Sequence, residues 1–514
     1  MSSQQKVSII DILEVAGMIK NGSSVVTGGF VGCAYPEDIT VALDKQYVKT
    51  GTPKNLTLIY TAGQGDGNNR GLNHFGHEGM VKRVIGGHWG LAPSLGKLAS
   101  ENKIEAYNFP QGVISHLFRE IAAGNPGRVT KVGLHTFVDP RYGGGRLNSK
   151  TKEELVEVIT IAGCEMLFYK AFSLDIALLR GTFSDSFGNI SFEREVISSE
   201  ALSIAMAVTN CGGKVIVQVE QMVDDYSRDP KNIQIPGIYV DAIVLSKPAN
   251  HAQTFATQFN KNYTVQGNID SIELPKIPNG PRRYIAKRAF QEIIPDSIVN
   301  LGIGLPEGVA QIAMEEGVLD KMTLTVEPGP IGGVPASGLN FGASTFPHAI
   351  IDQPYMFDFY DGGGLDIAFL GMAEVDQKGN VNVSRFNGRI TGAGGFINIS
   401  QNASVVVFTG TFTACGLEIE FEDGKLKIKK EGKFDKFIEN VEQLTFNGEY
   451  AAKKEKKVIY ITERAVFKLI DSGLELIEIA PGIDLDKDIL NHMDFKPNIG
   501  KNIKIMSQKI FAKI

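Results

Sequence analysis

The sequence predicts an α/β protein made of two related open α/β domains with mostly parallel sheets. Three observations predict it. A chain of 514 residues is too long for one hydrophobic core. Short apolar runs that stop on glycine alternate with segments of helical periodicity, the pattern of strand–turn–helix units. The same strand–turn–helix text then returns in the second half of the chain, in the same order.

Taken in order, Ile9, Ile12, Leu13, Ala16 and Ile19 recur at helical spacing, and Asn21-Gly22 is expected to end that helix. Ser24-Val25-Val26-Thr27 reads as a strand entering Gly28-Gly29-Phe30. Pro36-Glu37 opens a second helix, since proline is tolerated in a first turn and acids are favoured there by the helix dipole. In the second half Asp296–Asn300 leads to Gly302-Ile303-Gly304-Leu305-Pro306-Glu307, with a helix expected from Pro306 through Val309, Ile312 and Ala313. Three more pairs follow. Residues 55–63 parallel 321–329. Residues 174–179, with Gly188-Asn189 beyond, parallel 365–370 with Gly379-Asn380. Ile235-Pro236-Gly237-Ile238 parallels Ala480-Pro481-Gly482-Ile483.

Pro275, Pro278, Gly280 and Pro281 punctuate residues 262–284 like a linker. The expected domains are therefore 1–270, with an insert over about 66–165, and 283–514, which carries Glu327.

Composition narrows the function. A net charge of −6 argues against a nucleic-acid partner or an anionic membrane surface. The opening MSSQQKVSII lacks the basic and apolar regions of a signal peptide, and no run of 18 apolar residues appears, so a cytoplasmic location without membrane contact is expected. Cys33, Cys164, Cys211 and Cys415 lack CxxC spacing, as free thiols in a reducing compartment would.

The stretch with chemistry in it is Thr325–Gly342, TVEPGPIGGVPASGLNFG. A strand that stops on Glu327 and turns into a glycine- and proline-rich loop leaves one carboxylate at the carboxyl edge of a sheet, where ligands of open α/β folds sit. A solvated loop glutamate is the alternative. The internal duplication favours function, because Thr61 occupies the matching position in the first half and the fold therefore does not require a glutamate there. Sites at domain interfaces are common, and one half is expected to hold the carboxylate while the other supplies a wall. Gly302-Ile303-Gly304 lacks the third glycine of a dinucleotide fingerprint. The helix start behind it suits a phosphate or a phosphopantetheine arm. Gly394-Gly395, in Thr391-Gly392-Ala393-Gly394-Gly395, frees backbone N–H groups for a ligand. His74, His77 and Glu78 match no metal-ligand scheme, and no metal is expected. Neither a Gly-x-Ser-x-Gly nor a Walker lysine motif is present.

Together these motifs resemble those of the family I coenzyme A transferases, most closely the single-chain short-chain acyl-CoA transferases of the acetate and propionate type. Gly28-Gly29-Phe30 with Pro36-Glu37 looks like the family's first-half signature, although Ala34 and Thr27 depart from common choices. Glu327, with Gly332–Ala336 and Gly338–Gly342, is similar to the segment that carries the family nucleophile, with Pro328 where a serine is often found. Gly392-Ala393-Gly394-Gly395 looks like the family's GxGG loop.

The resemblance implies the CoA-transferase, or NagB-like, fold, with the active site between the domains. It implies Glu327 as nucleophile, the amides of Gln111 and Gly395 as oxyanion donors, and Gly302, Ile303, Gly304, Leu305, Pro306, Asn340, Gly392 and Gly394 as CoA-binding residues. The substrates would be acyl-CoA and short-chain carboxylic acids. CoA would be a co-substrate rather than a tightly bound cofactor, and the protein a homodimer or homotetramer. An acyl-CoA hydrolase on the same fold and a CoA- or metabolite-binding sensor stay open as alternatives.

Overall fold

The computed structural model describes residues 6–272 and 274–512. They gather into two compact units. The first takes the residues up to Gly267 together with Val326–Asp358 and Gly388–Asn398. The second takes Asn268–Thr325, Phe359–Asn387 and the residues from Ile399 onward. Glu327, in the second half of the chain, thus packs within the first unit.

The first unit is built on an eight-stranded sheet. In sheet order its strands are Ser8–Ile9, Ala242–Leu245, Lys214–Val219, Ile176–Arg180, Ser24–Thr27, Leu56–Tyr60, Val81–Gly86 and Glu105–Asn108. All neighbours pair in parallel. The central strands are buried along their whole length, as a sheet covered by helices on each side demands. The helices Glu37–Thr50, Pro93–Ser100, Gln111–Ala122 and Ala201–Asn210 connect these strands. The predicted insert lengthens this sheet by its last two strands and adds a three-stranded antiparallel sheet of Gly127–Thr130, Cys164–Lys170 and Val156–Ile161.

In the second unit the order runs Met322–Thr325, Ser297–Leu301, Ile367–Gly371, Val405–Thr409, Lys457–Ile461, then Ala465–Ile470, Gly473–Ile479 and Asn498–Ile505. The first five are mutually parallel. Ala465–Ile470 then runs antiparallel to both its neighbours.

The duplication is visible in the register. Val25 pairs with Leu58 and with Ile176 in one sheet, and Val299 pairs with Leu324 and with Ile367 in the other. Counting forward from Leu58 and Leu324 makes Thr61 the counterpart of Glu327, as the sequence alignment has it. Two side-chain details repeat as well. Asp175 and Asp366 each accept the backbone N–H of the neighbouring strand, from Ser24 and Ile298. Asn189 and Asn380 each donate to the aspartate four residues earlier.

The fourth predicted pair does not hold. Asn189 Oδ1 accepts from Gly237 N–H, whereas Asn380 Oδ1 accepts from Gly448 N–H. The counterpart of Pro236-Gly237 is therefore Asn447-Gly448, and Pro481-Gly482 lies beyond strands the first sheet lacks. Two helix expectations also shift. Ile9 belongs to an edge strand, and only Ile12–Glu14 and Val15–Met18 turn helically. The helix expected from Pro306 begins at Gly308. Among the described residues no helix is long and apolar enough to cross a membrane.

Candidate active site

Glu327 stands two residues past the strand Met322–Thr325. A tight turn follows it. Gly329 N–H donates to Val326 O at 3.0 Å, and Val326 N–H to Pro330 O at 3.0 Å. Gly329 has φ +135°, and a Cβ there would lie 1.9 Å from the carbonyl oxygen of Ile351, so only glycine fits. The adjacent Val326 is fixed in an apolar cluster with Phe30, Val31, Ala62, Val196, Ile197, Phe341 and Ala343. The first-half Gly-Gly-Phe signature thus has a packing role. The Phe30 ring lies 5.4 Å from that of Phe341, and a Cβ on Gly342 would come within 2.7 Å of Phe30.

The Glu327 carboxyl is buried, with 8% of the residue exposed. No cation pairs with it among the described residues, and its Oε2 is sealed from solvent with no hydrogen-bond partner. Burial pushes its pKa from 4.5 up to about 7, opposed only by its own backbone amide. A structural glutamate is normally paired with a cation or solvated, whereas this one is buried with one oxygen unpartnered.

The glycine loop docks on sequence-distant pieces of the same unit. Trp89 and Gly90 N–H both donate to Thr391 O, at 2.7 and 2.9 Å. Gly394 N–H donates to Gly87 O at 2.7 Å, and Ala393 N–H to Asn108 Oδ1 at 2.9 Å. Gly392 and Gly394 are left-handed, with φ +79° and +55°. A Cβ on Gly392 would lie 3.0 Å from the backbone of His88 and Trp89. Gly395 is buried, and its N–H has no acceptor among the described residues.

Gln111 differs from expectation. Its backbone N–H is not free, because it donates to Gly394 O at 2.9 Å. Its buried side chain makes a second bond: Nε2 donates to Gln353 Oε1 at 3.2 Å. Gln353 is fully buried, donates its backbone N–H to Ser199 O at 2.8 Å, and keeps an unpaired Nε2. Glu200 adjoins it. Burial pushes the Glu200 carboxyl up to about 7, partly offset by the Ser199 hydroxyl, which donates to its Oε2; its Oε1 is unpaired. His88 lies against Gly63 and Gly90, where a Cβ would come within 2.6 and 3.0 Å of its ring. Burial, then the charge of Arg389, pull its pKa down to about 4, so it is a neutral imidazole.

Gln353, Glu200 and His88 carry no sequence motif. The signal that finds them is a buried polar atom without a partner, which exists only in three dimensions.

Glu327, Gln111, Asn340, Gly392, Gly394 and Gly395 fall in one compact unit, and Gly302–Pro306 in the other. In that second unit Gly302 N–H donates to Phe369 O at 2.8 Å, Gly304 is left-handed at φ +89°, and Ile303 is exposed. His74 and His77, considered above as metal ligands, are engaged by carboxylates. His74 bridges Asp44 and Glu37 at 2.9 and 3.0 Å, and His77 meets Asp44 at 2.6 Å.

Comparison with known proteins shows the family. The family profile "Coenzyme A transferase" matches residues 11–246. The chain is 45% identical to the caffeate CoA-transferase of Acetobacterium woodii, over 98% of this chain and 97% of that one. It is 43% identical to the acetate CoA-transferase YdiF of Escherichia coli K12, over 98% and 95% of the two chains. The crystal structure of the acyl-CoA transferase YdiF from E. coli O157:H7 as a thioester complex with CoA superposes with a TM-score of 0.93, at 42% identity, over 99% of this chain and 96% of that chain. Fold and sequence define an α/β enzyme of CoA thioester chemistry. The chain belongs to the family I coenzyme A transferases, and it is an acyl-CoA transferase.

Proposed function

We propose that the protein transfers CoA between short-chain carboxylic acids, of the acetate, propionate and acetoacetate type, through a glutamyl-CoA thioester on Glu327. The observation that carries this reading is the buried Glu327 carboxylate, with Oε2 unpaired and no cation beside it. An unpaired carboxylate in an apolar setting is a stronger nucleophile than a solvated one, since it loses no hydration shell on attack.

Glu327 attacks the thioester carbonyl. A C–O bond forms, the C–S bond breaks, and an acyl-glutamyl anhydride and CoA thiolate result. The thiolate attacks the glutamyl carbonyl, which expels the first acid as its carboxylate and leaves the glutamyl-CoA thioester. A second carboxylate runs both steps in reverse. No proton is gained or lost and no ATP is consumed, because the anhydride keeps the acyl group activated. Each tetrahedral intermediate places negative charge on oxygen, and the Gly395 N–H is the donor we assign to it. The Gln111 amide, satisfied by Gly394, is not assigned that role. Gly302–Pro306, Asn340, Gly392 and Gly394 are the residues we assign to holding CoA.

Incubation with acetyl-CoA and no acceptor acid tests this. A protein species heavier by CoA less one water is expected, mapped to the Glu327 peptide and reduced by borohydride. CoA turnover that needs no second acid, with no adduct, would instead make Glu327 a general base for water and the protein a hydrolase.

A further inference from the structure

Asn340 stands at the end of the Gly338–Asn340 turn that follows the Glu327 loop. Its side-chain oxygen receives two hydroxyls from a distant segment: Thr254 Oγ1 at 2.5 Å and Thr257 Oγ1 at 2.9 Å. Which end of a carboxamide is oxygen is usually inferred from its surroundings, and here they decide it. Thr254 Oγ1 already accepts the backbone N–H of Thr257 at 2.9 Å and of Ala256 at 3.3 Å. A hydroxyl has two lone pairs and one proton. With both lone pairs engaged, Thr254 is left only its proton to offer, and the atom it meets on Asn340 must be an acceptor. Nδ2 is thereby turned the other way. It has no partner among the described residues, and it is not among the polar atoms sealed from solvent.

The threonine turn is itself held rigidly. Arg180, buried and paired with Glu195 at 3.0 Å, donates to Ala252 O at 2.8 Å. Gln253 donates to Arg194 O at 2.8 Å and accepts Asn260 N–H at 2.8 Å. Arg70 donates to Phe255 O at 2.9 Å. Phe255 leans on Gly32, where a Cβ would lie 2.3 Å from the ring. This amount of fixed structure for one half-buried carboxamide is explained if the carboxamide must present a donor in one direction.

We propose that Thr254 and Thr257 are positioning residues that hold Asn340 as a donor-only amide, and that its Nδ2 binds an acceptor oxygen of the acyl-CoA pantetheine arm. This rests on the CoA-transfer reading above. The inference specifies chemistry: an acceptor is bound at Nδ2, and a donor on the ligand finds nothing there.

The test is calorimetric binding of CoA, with steady-state KM and kcat for acetyl-CoA, in four variants. Thr254→Val removes the proton donor. It should weaken CoA binding and raise KM about tenfold, the worth of one well-placed hydrogen bond, with kcat within about twofold. Thr254→Ser should restore both. Asn340→Asp keeps the acceptor for both threonines, so it leaves the turn intact, but lacks the NH₂ group; it should bind CoA at least as weakly as Thr254→Val. The double variant Thr254→Val/Asn340→Asp should lose no more than Asn340→Asp alone. Wild-type CoA affinity in either Thr254→Val or Asn340→Asp overturns the proposal, as does a Thr254→Ser protein as weak as the valine variant. If these occur while the wild type still forms its Glu327 adduct, only the positioning role fails. Absence of the adduct sinks the reading beneath it as well.

Discussion

The ionisation of Glu327 offers a measurement independent of catalysis. The folded chain holds this carboxyl at about 7, against 4.5 when unperturbed. At 1.36 kcal/mol per pH unit, keeping it ionised in the folded protein costs about 3 kcal/mol. Between pH 4.5 and 7 the folded chain binds more protons than the unfolded chain, so this group makes stability fall as pH rises through that window. Above pH 7 the whole cost is present, and below 4.5 none of it is. Glu327→Gln replaces the carboxylate by a neutral group of the same shape. The variant should therefore be more stable than the wild type at pH 8 by up to about 3 kcal/mol, and the difference should shrink to nothing near pH 4.5. Denaturant midpoints of both proteins, measured every half unit from pH 5 to 8.5, give the comparison. The same group sets an acid limb on kcat/KM of the wild type, falling about tenfold per unit below pH 7. A variant no more stable than wild type at pH 8, or a stability gap that does not change with pH, would refute the claim that the carboxylate is buried and unpaired.

Gly395→Pro deletes an N–H that has no acceptor among the described residues, so it should fold. The loss of that donor should slow kcat by about a hundredfold to a thousandfold, while Gly395→Ala, which keeps the N–H, loses far less; equal rates in both would discard the oxyanion assignment. Gly342→Ala meets both a left-handed φ of +109° and the Phe30 ring at 2.7 Å. It should cost about 3 kcal/mol, against about 1 kcal/mol for Gly22→Ala, where φ is +83° but the space is open. Thermal unfolding of the two variants side by side separates packing from backbone strain, and equal midpoints would show that the seat on Phe30 is soft.

Much of the fold was legible because it is written in local grammar. Strands such as Ser24–Thr27 and Leu56–Tyr60 are apolar runs closed by glycine, and their repeat in the second half fixed the counterpart of Glu327 without coordinates. Glu327 stood out as a candidate for the same reason: a lone carboxylate between a strand and a glycine-rich turn is a local signal. The failures are non-local. Ile9 has helical spacing from its neighbours but finds a parallel partner in Ala242–Leu245, more than 200 residues away, and becomes an edge strand. Pro481-Gly482 repeats the letters of Pro236-Gly237, yet the asparagine that marks the position chooses Gly448. Whether the Gln111 amide is free depends on where the Gly394 carbonyl lies, which no spacing encodes. Gln353 and Glu200 read as ordinary surface residues until burial leaves their polar atoms unpaired.

The way the chain is shared between the two units has a consequence for its synthesis. The first unit is interrupted after Gly267 and is not complete until Asn398. A ribosome that has finished residue 267 has made the whole eight-stranded sheet but not Val326, Phe341 or Ala343, which cover Phe30, Val31, Ala62 and Ile197. Nor has it made the Thr391 and Gly394 carbonyls that satisfy Trp89, Gly90 and Gln111. At about 5–20 residues per second, the missing pieces arrive roughly ten seconds later. During that interval the nascent chain carries an uncovered apolar patch beside unpaired backbone donors, the combination that chaperones bind and that drives aggregation when they are scarce.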